Sequence, residues 1–180
     1  MSQRINDMPT LTVNAHVVLR LLTHDDEAEE YRLLMDNYDY FSKWIFWLNE
    51  SFTQKHLHDD LEDTLQKYAK QEIYLMGVYV DDELVGAVDV RDIVPGESAE
   101  VGYFIAEKFT GRGLASTCTL KLIEYVRDKH HVPYFYLHTF VDNAASSRVA
   151  EKMGFAYERT VGDEVKEKRY GRHFVGIKRY

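Results

Sequence analysis

Hydrophobic and polar positions along this chain follow two periods, and the switches between them mark its elements. Val17-Val18-Leu19-Arg20-Leu21-Leu22 is a short apolar run that reads as a strand. Thr23 followed by Asp26 then gives a helix start signal, with Ala28, Tyr31, Met35 and Tyr38 on one helical face. Ser51 and Gln54 repeat that signal, and Leu57, Leu61, Leu65 and Tyr68 follow at helical spacing behind an aromatic segment, Phe41 to Trp47. From Glu72 to Val80, and again from Leu84 to Val90, residues are mostly β-branched, aromatic or long and apolar, separated by Asp81-Asp82-Glu83, which predicts an antiparallel hairpin. A third such run, Ala99 to Ile105, follows the Pro95-Gly96 loop and extends the sheet as a meander.

The period then lengthens. Leu114, Cys118, Leu122 and Val126 recur every fourth position, so a helix begins directly after Gly111-Arg112-Gly113. Tyr134 to Val141 reads as an apolar strand, and Asn143 to Met153 as a short helix with Ala145, Val149 and Met153 on one face, stopped at Gly154. Strand-like pieces at Phe155 to Val161 and His173 to Tyr180 close the chain. The order β-α-α-β-β-β-α-β-α-β-β predicts a mixed α/β (α+β) fold, a mostly antiparallel sheet of about seven strands flanked by about four helices. A strand–helix–strand crossover from 99 to 141 requires parallel pairing or wide separation among otherwise antiparallel neighbours, which argues against a Rossmann domain. No repeat, low-complexity tract or linker interrupts the pattern, so one domain is expected over residues 1–180, with 1–10 as a flexible leader.

Composition narrows the class. With 45% hydrophobic residues, 3 prolines and 10 glycines, collagen-like and disordered readings drop out. No apolar run approaches the roughly 18 residues that cross a bilayer, and MSQRINDMPT lacks the apolar stretch of a signal peptide, so a cytoplasmic protein away from membranes is expected. Cys118 is the only cysteine, which excludes an internal disulfide and a cysteine-based zinc cage. Against 30 acids stand 22 Lys and Arg, net −8, and the one basic stretch, Lys166-Glu167-Lys168-Arg169, is broken by an acid. Nucleic acid is therefore not the expected partner; a basic or amine partner suits the charge better, although mild acidity alone serves solubility. His56-x-His58 and His130-His131 do not put pairs on one helical face and show no third ligand, so no metal site is expected from them.

Two segments carry chemistry. Phe109-Thr110-Gly111-Arg112-Gly113-Leu114-Ala115 lies between an apolar strand and an amphipathic helix, where free N–H groups and the positive end of the helix dipole converge on a phosphate or pyrophosphate. Two glycines let the backbone approach an anion and Arg112 adds charge, while Ser116 at the place of a third glycine excludes the dinucleotide fingerprint. The second segment is Val141-Asp142-Asn143-Ala144-Ala145-Ser146-Ser147-Arg148-Val149-Ala150-Glu151-Lys152-Met153-Gly154-Phe155. Together the two resemble the GNAT N-acetyltransferases: a (Q/R)-x-x-G-x-(G/A) pyrophosphate loop and an N-x-x-S…(E)-K-x-G-F element. The resemblance is greatest to the RimJ/RimL branch, which acetylates N-terminal amines of ribosomal proteins, and Ala99-Glu100-Val101-Gly102-Tyr103, Lys43-Trp44 and Arg20-Leu21-Leu22 support it.

The resemblance implies a central splay in the sheet, acetyl-CoA as co-substrate and no metal. It implies that Gly111, Arg112, Gly113, Leu114, Ala115 and Ser116 hold the pyrophosphate, that a backbone N–H near Phe104 or Ile105 polarises the thioester carbonyl, that Asn143 meets the pantetheine arm, and that Ser146 protonates the leaving thiolate. Thr110 departs from the Gln or Arg of many members, which is expected to weaken one phosphate contact and with it the affinity for coenzyme A. Tyr134, Tyr136 and His138 are further donors. A carboxylate must take the amine's proton; Glu100, set by strand alternation opposite Val101 and Tyr103, is the first candidate and Glu72 the second. Trp44 and Trp47 flank the acceptor cleft in this branch. Plainer readings stand beside these roles: an ion-paired strand carboxylate for Glu100, helix capping for Asn143 and Ser146, core packing for the tryptophans and Cys118. The expected activity is direct acetyl transfer to the N-terminal α-amine of a ribosomal or other protein; a polyamine or aminoglycoside acceptor, or a non-catalytic acyl-CoA-binding module, are the alternatives. A homodimer is one assembly the branch adopts.

Overall fold

The computed structural model describes residues 9–162 and 170–177. Most of the leader, the basic stretch at 166–169 and the last three residues of the final predicted strand lie outside the described residues. The chain starts with β1 (Thr10–Thr12) and β2 (Val17–Leu21), continues through α1 (Glu27–Asp36), α2 (Tyr38–Phe41) and α3 (Gln54–Ala69), and enters the meander β3 (Tyr74–Val80), β4 (Glu83–Val94) and β5 (Ser98–Ile105). A 3₁₀ turn at Glu107–Phe109 leads into α4 (Leu114–His130), β6 (Tyr134–Phe140), α5 (Ala144–Lys152), β7 (Ala156–Gly162) and β8 (Tyr170–Ile177). All eight strands share one sheet, ordered β1-β2-β3-β4-β5-β6-β8-β7. Every pairing is antiparallel except β5 with β6, the strands joined by the α4 crossover.

The mixed, mostly antiparallel expectation holds, with eight strands in place of seven. The addition is β1, three residues that pair Leu11 with Leu19 and are too short to show a period. The extra helix, α2, is a single turn. The start of α3 also differs: Thr53, not Ser51, is its cap, with Thr53 Oγ1 accepting from His56 N while His56 Nδ1 accepts from Thr53 N at 3.1 Å. Ser51 instead bonds Asn49 Oδ1 through its N–H and its hydroxyl, closing the turn before the helix. Ahead of α1, Asp26 Oδ2 accepts from Thr23 N at 2.9 Å and from Thr23 Oγ1 at 3.0 Å, so the pair is real but the helix starts after Asp26.

Strand β3 is buried on both faces through most of its length, and β4 is so from Leu84 to Val90, because helices cover the sheet centre. Cys118, Leu122 and Val126 of α4 are fully buried, packed on β4 and β5 as their spacing predicts. In α1 the buried residues are Glu30, Leu33 and Leu34, while Ala28 is exposed. The expected face is displaced because α1 serves two clusters: Leu33 joins the main core, and Leu34, with Tyr31, Met35 and Tyr38, packs on Phe41, Leu48 and Leu57. In α5, Ser147 and Ala150 are buried and Ala145 is exposed.

Candidate active site

Parallel pairing between β5 and β6 is confined to Ser98↔Tyr134, Ala99↔Phe135 and Glu100↔Tyr136. Past Glu100 the strands diverge, leaving β5 from Val101 to Ile105 with unpaired backbone groups toward β6. A cavity of about 720 Å³ opens at this splay. Its lining draws on residues 100–104 of β5, 137–140 of β6, Asn143 and Ser146, on Glu30 of α1, residues 44–47 and Leu57, Asp60, Leu61, Asp63 and Thr64 of α3, and on Leu75 of β3 and Asp89 and Arg91 of β4.

Glu100 stands at the apex, the last paired position. Its cross-strand partner is Arg91, whose Nη2 donates to Glu100 Oε1 at 2.8 Å while Nη1 donates to Asp89 Oδ1 at 2.5 Å. His138 Nδ1 lies 3.3 Å from the same Glu100 oxygen. Burial pushes the Glu100 carboxyl upward, but the His138 hydrogen bond and the Arg91 charge outweigh it and hold the group below its ordinary value. Asp89, more strongly desolvated, is raised despite Arg91. Gly102 makes room for this cluster: a Cβ there would stand 2.5 Å from Asp89 Oδ2 and 2.6 Å from Arg91 Nη1.

Across the splay, Asn143 caps α5, its Oδ1 accepting from Ser146 N at 3.0 Å. Ser146 Oγ is 2.7 Å from the Tyr103 hydroxyl, which also donates to Ser146 O at 3.2 Å. Burial pushes Tyr103 up to about 12, with the Ser146 hydrogen bond opposing. Two neutral hydroxyls thus share one hydrogen-bonded position on the cavity wall.

The glycine turn keeps its own geometry. Gly111 and Gly113 have φ of 74° and 78°, the left-handed region that a Cβ disfavours, and Gly113 caps α4. The first-turn N–H groups of α4 have no intrahelical acceptor. Arg112 donates to Lys108 O at 3.1 Å and lies over the Phe109 ring, while Thr110 and Ser116 turn their hydroxyls to backbone carbonyls of the turn. Lys152 Nζ sits 3.2 Å from where a Cβ on Gly113 would be, so a second cation joins Arg112 at the helix start. Open left-handed glycines, free N–H groups and two cations fit the pyrophosphate of coenzyme A.

Glu100, Phe104, Asn143, Ser146, Trp44 and Trp47 therefore meet at one cavity. Ile105 is buried against Gly86 and lies outside its lining. Glu72 is exposed in the turn after α3, its N–H donating to Lys67 O, and is also outside the lining. Of the further donors, His138 reaches the cavity, whereas Tyr134 is exposed at the paired end of β6. Cys118 is fully buried and burial pushes its thiol up to about 12, the packing role its helical stripe gives it.

Three residues of the site escape the motif reading. Tyr103 was placed by alternation opposite Glu100, but only the α5 position gives it Ser146 as a partner. Arg91 is read from the hairpin register, which pairs it with Glu100. Glu30 gives no signal, being an acid on a helix face; it is 4% exposed, its Oε2 makes no hydrogen bond, and burial with the neighbouring charges of Asp26, Asp60 and Glu27 raises it to about 7.

The chain matches the family described as "Acetyltransferase (GNAT) domain" over residues 16–156, and it belongs to that family. It is an N-acetyltransferase that uses acetyl-CoA as co-substrate. Among curated relatives, YdaF of Bacillus subtilis, provisionally named a ribosomal N-acetyltransferase, is 28% identical over 158 residues, covering 87% of this chain and 86% of its own. Spermidine N(1)-acetyltransferase of Vibrio cholerae is 26% identical over 159 residues, covering 84% of this chain and 86% of its own. Among solved structures, RimL, an alpha-N-protein acetyltransferase of a ribosomal protein, in complex with coenzyme A, superposes with a TM-score of 0.88 at 18% identity, covering 94% of this chain and 98% of its own. Among the described residues no helix is long and apolar enough to cross a membrane.

Proposed function

We propose that this enzyme acetylates the N-terminal α-amine of a protein, a ribosomal protein first of all, with Glu100 receiving the amine's proton through water and the Ser146–Tyr103 hydroxyl pair protonating the departing sulfur. The observation that carries this reading is the place of Glu100 at the last paired position of the splay, with His138 Nδ1 3.3 Å and Arg91 Nη2 2.8 Å from its Oε1, contacts that hold the carboxyl below its ordinary value. Such a carboxylate is a weak base, and a weak base suits an acceptor that is already partly neutral. An α-amine, with a pKa of about 7.7 to 8.0, meets that condition; a lysine or polyamine amine near 10.4 does not.

Acetyl-CoA supplies an acyl group on a thiol leaving group with a pKa of about 8.5. The amine nitrogen bonds to the acyl carbon, the carbon–sulfur bond breaks, one proton passes from nitrogen to Glu100 and one from the hydroxyl pair to sulfur, and the proton on Glu100 returns through solvent to the hydroxyl pair, so that both groups are restored. The unpaired backbone of β5 beside Phe104 offers N–H groups to the acyl oxygen and to the pantetheine amides. The turn at residues 111–116, with Arg112 and Lys152, holds the pyrophosphate. Trp44 and Trp47, the second 37% exposed, offer aromatic walls to the acceptor's first side chains.

One observation favours a second acceptor. Glu30, Asp60 and Asp63 line the same cavity, and a spermidine acetyltransferase is among the relatives, so a polyamine with a second ammonium group is the runner-up. The test is thiol release with mass-spectrometric product identification on ribosomal-protein N-terminal peptides, N-blocked lysine peptides, spermidine and an aminoglycoside. Acetylation at a peptide α-amine supports the proposal; turnover confined to spermidine or the aminoglycoside overturns the acceptor, and modification of the N-blocked lysine peptides overturns the weak-base argument.

A further inference from the structure

His56 and His58 do diverge on α3, as their spacing requires, and His56 is engaged in the helix cap. His58, however, meets two residues that sequence spacing cannot associate with it, His24 and Glu27 at the start of α1. Their ligand atoms all lie within 4.8 Å of one another. His58 Nδ1 is 2.8 Å from Glu27 Oε2, and His24 Nδ1 is 3.5 Å from the same oxygen. The two rings lie side by side, centroids 4.6 Å apart. None of the three lines the acetyl-transfer cavity.

We propose that His24, Glu27 and His58 form a binding site for zinc or a chemically similar first-row divalent ion, clamping the start of α1 to α3. The donor set is two imidazoles and one carboxylate with a fourth position left for water, a set that zinc accepts in tetrahedral geometry. Tetrahedral ligands about 2.0 to 2.1 Å from an ion stand about 3.4 Å from each other; the two spacings to Glu27 are 2.8 and 3.5 Å and the pair of imidazole nitrogens lies within 4.8 Å. Little movement is then needed to admit the ion.

The surrounding contacts decide which nitrogens are offered. Glu62 Oε2 lies 2.9 Å from His24 Nε2, so the ring proton sits on Nε2 and the lone pair on Nδ1 turns toward Glu27 and His58. That Nδ1 is buried and makes no hydrogen bond, which ion binding would remedy. Gln54 Nε2 donates to Glu27 Oε1 at 3.2 Å, orienting the carboxylate and leaving Oε2 for the ion. His58 Nδ1 shares a proton with Glu27 Oε2 in the ion-free cluster, and the ion replaces that proton. The plain alternative is a protonated His24 held by Glu27 and Glu62, with His58 hydrogen-bonded to the same Glu27 oxygen; it predicts no metal uptake and leaves His24 Nδ1 without a hydrogen bond, and the titration separates the two.

The experiment is calorimetric titration of tag-free, chelator-stripped full-length protein with Zn²⁺, paired with visible absorption after Co²⁺ loading and a thermal melt. Expected are one zinc per chain, intense tetrahedral Co²⁺ bands, and a melting midpoint raised by about 5 to 10 °C at a hundredfold excess of zinc over Kd. His24→Ala and His58→Ala each abolish the Co²⁺ bands, Glu62→Gln weakens zinc binding about tenfold or more through lost orientation of His24, and His131→Asn, outside the cluster, leaves binding unchanged. Should an alanine variant fail to fold by circular dichroism, Glu27→Gln keeps the side-chain shape, removes the anionic ligand and is expected to lose the bands equally. Zinc binding well below one equivalent, or binding that survives in both histidine variants and in Glu27→Gln, overturns the proposal.

Discussion

Glu30 is an acid placed where ionisation is unfavourable, and that has a measurable sign. Its carboxyl is raised from 4.5 to about 7 by burial, with Asp26, Asp60 and Glu27 adding repulsion. Below pH 4.5 the folded and unfolded chains both carry the proton; between 4.5 and about 7 only the folded chain holds it, so stability falls as pH rises through that window. Glu30→Gln keeps the shape without the ionisation, so its melting advantage over the parent is expected to grow across that window to on the order of 3 kcal/mol, read by denaturant unfolding at a series of pH values. A constant difference between the two proteins at every pH would show that Glu30 does not titrate there. Ser146 and Tyr103, also on the cavity wall, share one hydrogen bond, and the proposed reaction uses them as a unit. Ser146→Ala and Tyr103→Phe are each expected to lower kcat about a hundredfold with little change in KM for acetyl-CoA, and the double variant is expected to fall little further, as for groups acting as a unit. Multiplying losses would assign the two hydroxyls separate tasks.

At the scale of elements, strands and helices were legible where period and length were sufficient. Leu114, Cys118, Leu122 and Val126 place α4 and its buried face correctly, because that helix packs one stripe on one sheet. The expected face of α1 covers only one of two contacts: Tyr31, Met35 and Tyr38 pack on the second cluster, whereas Leu33 joins the main core and Ala28 is exposed, because that helix lies between the two. The start of α3 slipped by two residues because Ser51 and Thr53 are equally good caps in sequence, and only the Asn49 turn decides between them. The glycines of the turn and the helix start behind them were legible, the nearness of Lys152 was not, and the turn supplies a test. Gly113→Ala puts a Cβ at a φ of 78° and 3.2 Å from Lys152 Nζ, a backbone cost of about 1 to 2 kcal/mol at the point where α4 begins. KM for acetyl-CoA is expected to rise several-fold with kcat nearly unchanged and the sheet intact by circular dichroism. A fall in kcat at unchanged KM would mean that the turn acts on the reacting atoms and not on the distant phosphates.

For the whole molecule, the net charge of −8 was visible at once, but its placement was not. Glu30, Asp60 and Asp63 come from two helices, and Asp89 and Glu100 from two strands, yet all five line one cavity in which Arg91 is already committed to the last two. No local pattern could have gathered them, since the splay that brings them together exists only once the α4 crossover returns β6 beside β5. The arrangement sets a field that draws cations into the cavity, and it distinguishes acceptors by their remote charge. On the proposed reading, a peptide with one charged α-amine would meet mainly Glu100, and an acceptor with a second ammonium would also reach Glu30, Asp60 and Asp63. Because a Debye length is about 10 Å at 0.1 M salt and about 3 Å at 1 M, kcat/KM for a doubly charged acceptor is expected to fall more steeply with ionic strength than that for a peptide with a neutral second residue. At pH 8 or above, where Glu30 is ionised, Glu30→Gln should flatten the first slope and leave the second alone, measured as thiol release across a salt series. Equal slopes for both acceptors in the parent would mean that the wall at Glu30, Asp60 and Asp63 is a packing surface, and that selection among amines rests on the proton balance at Glu100.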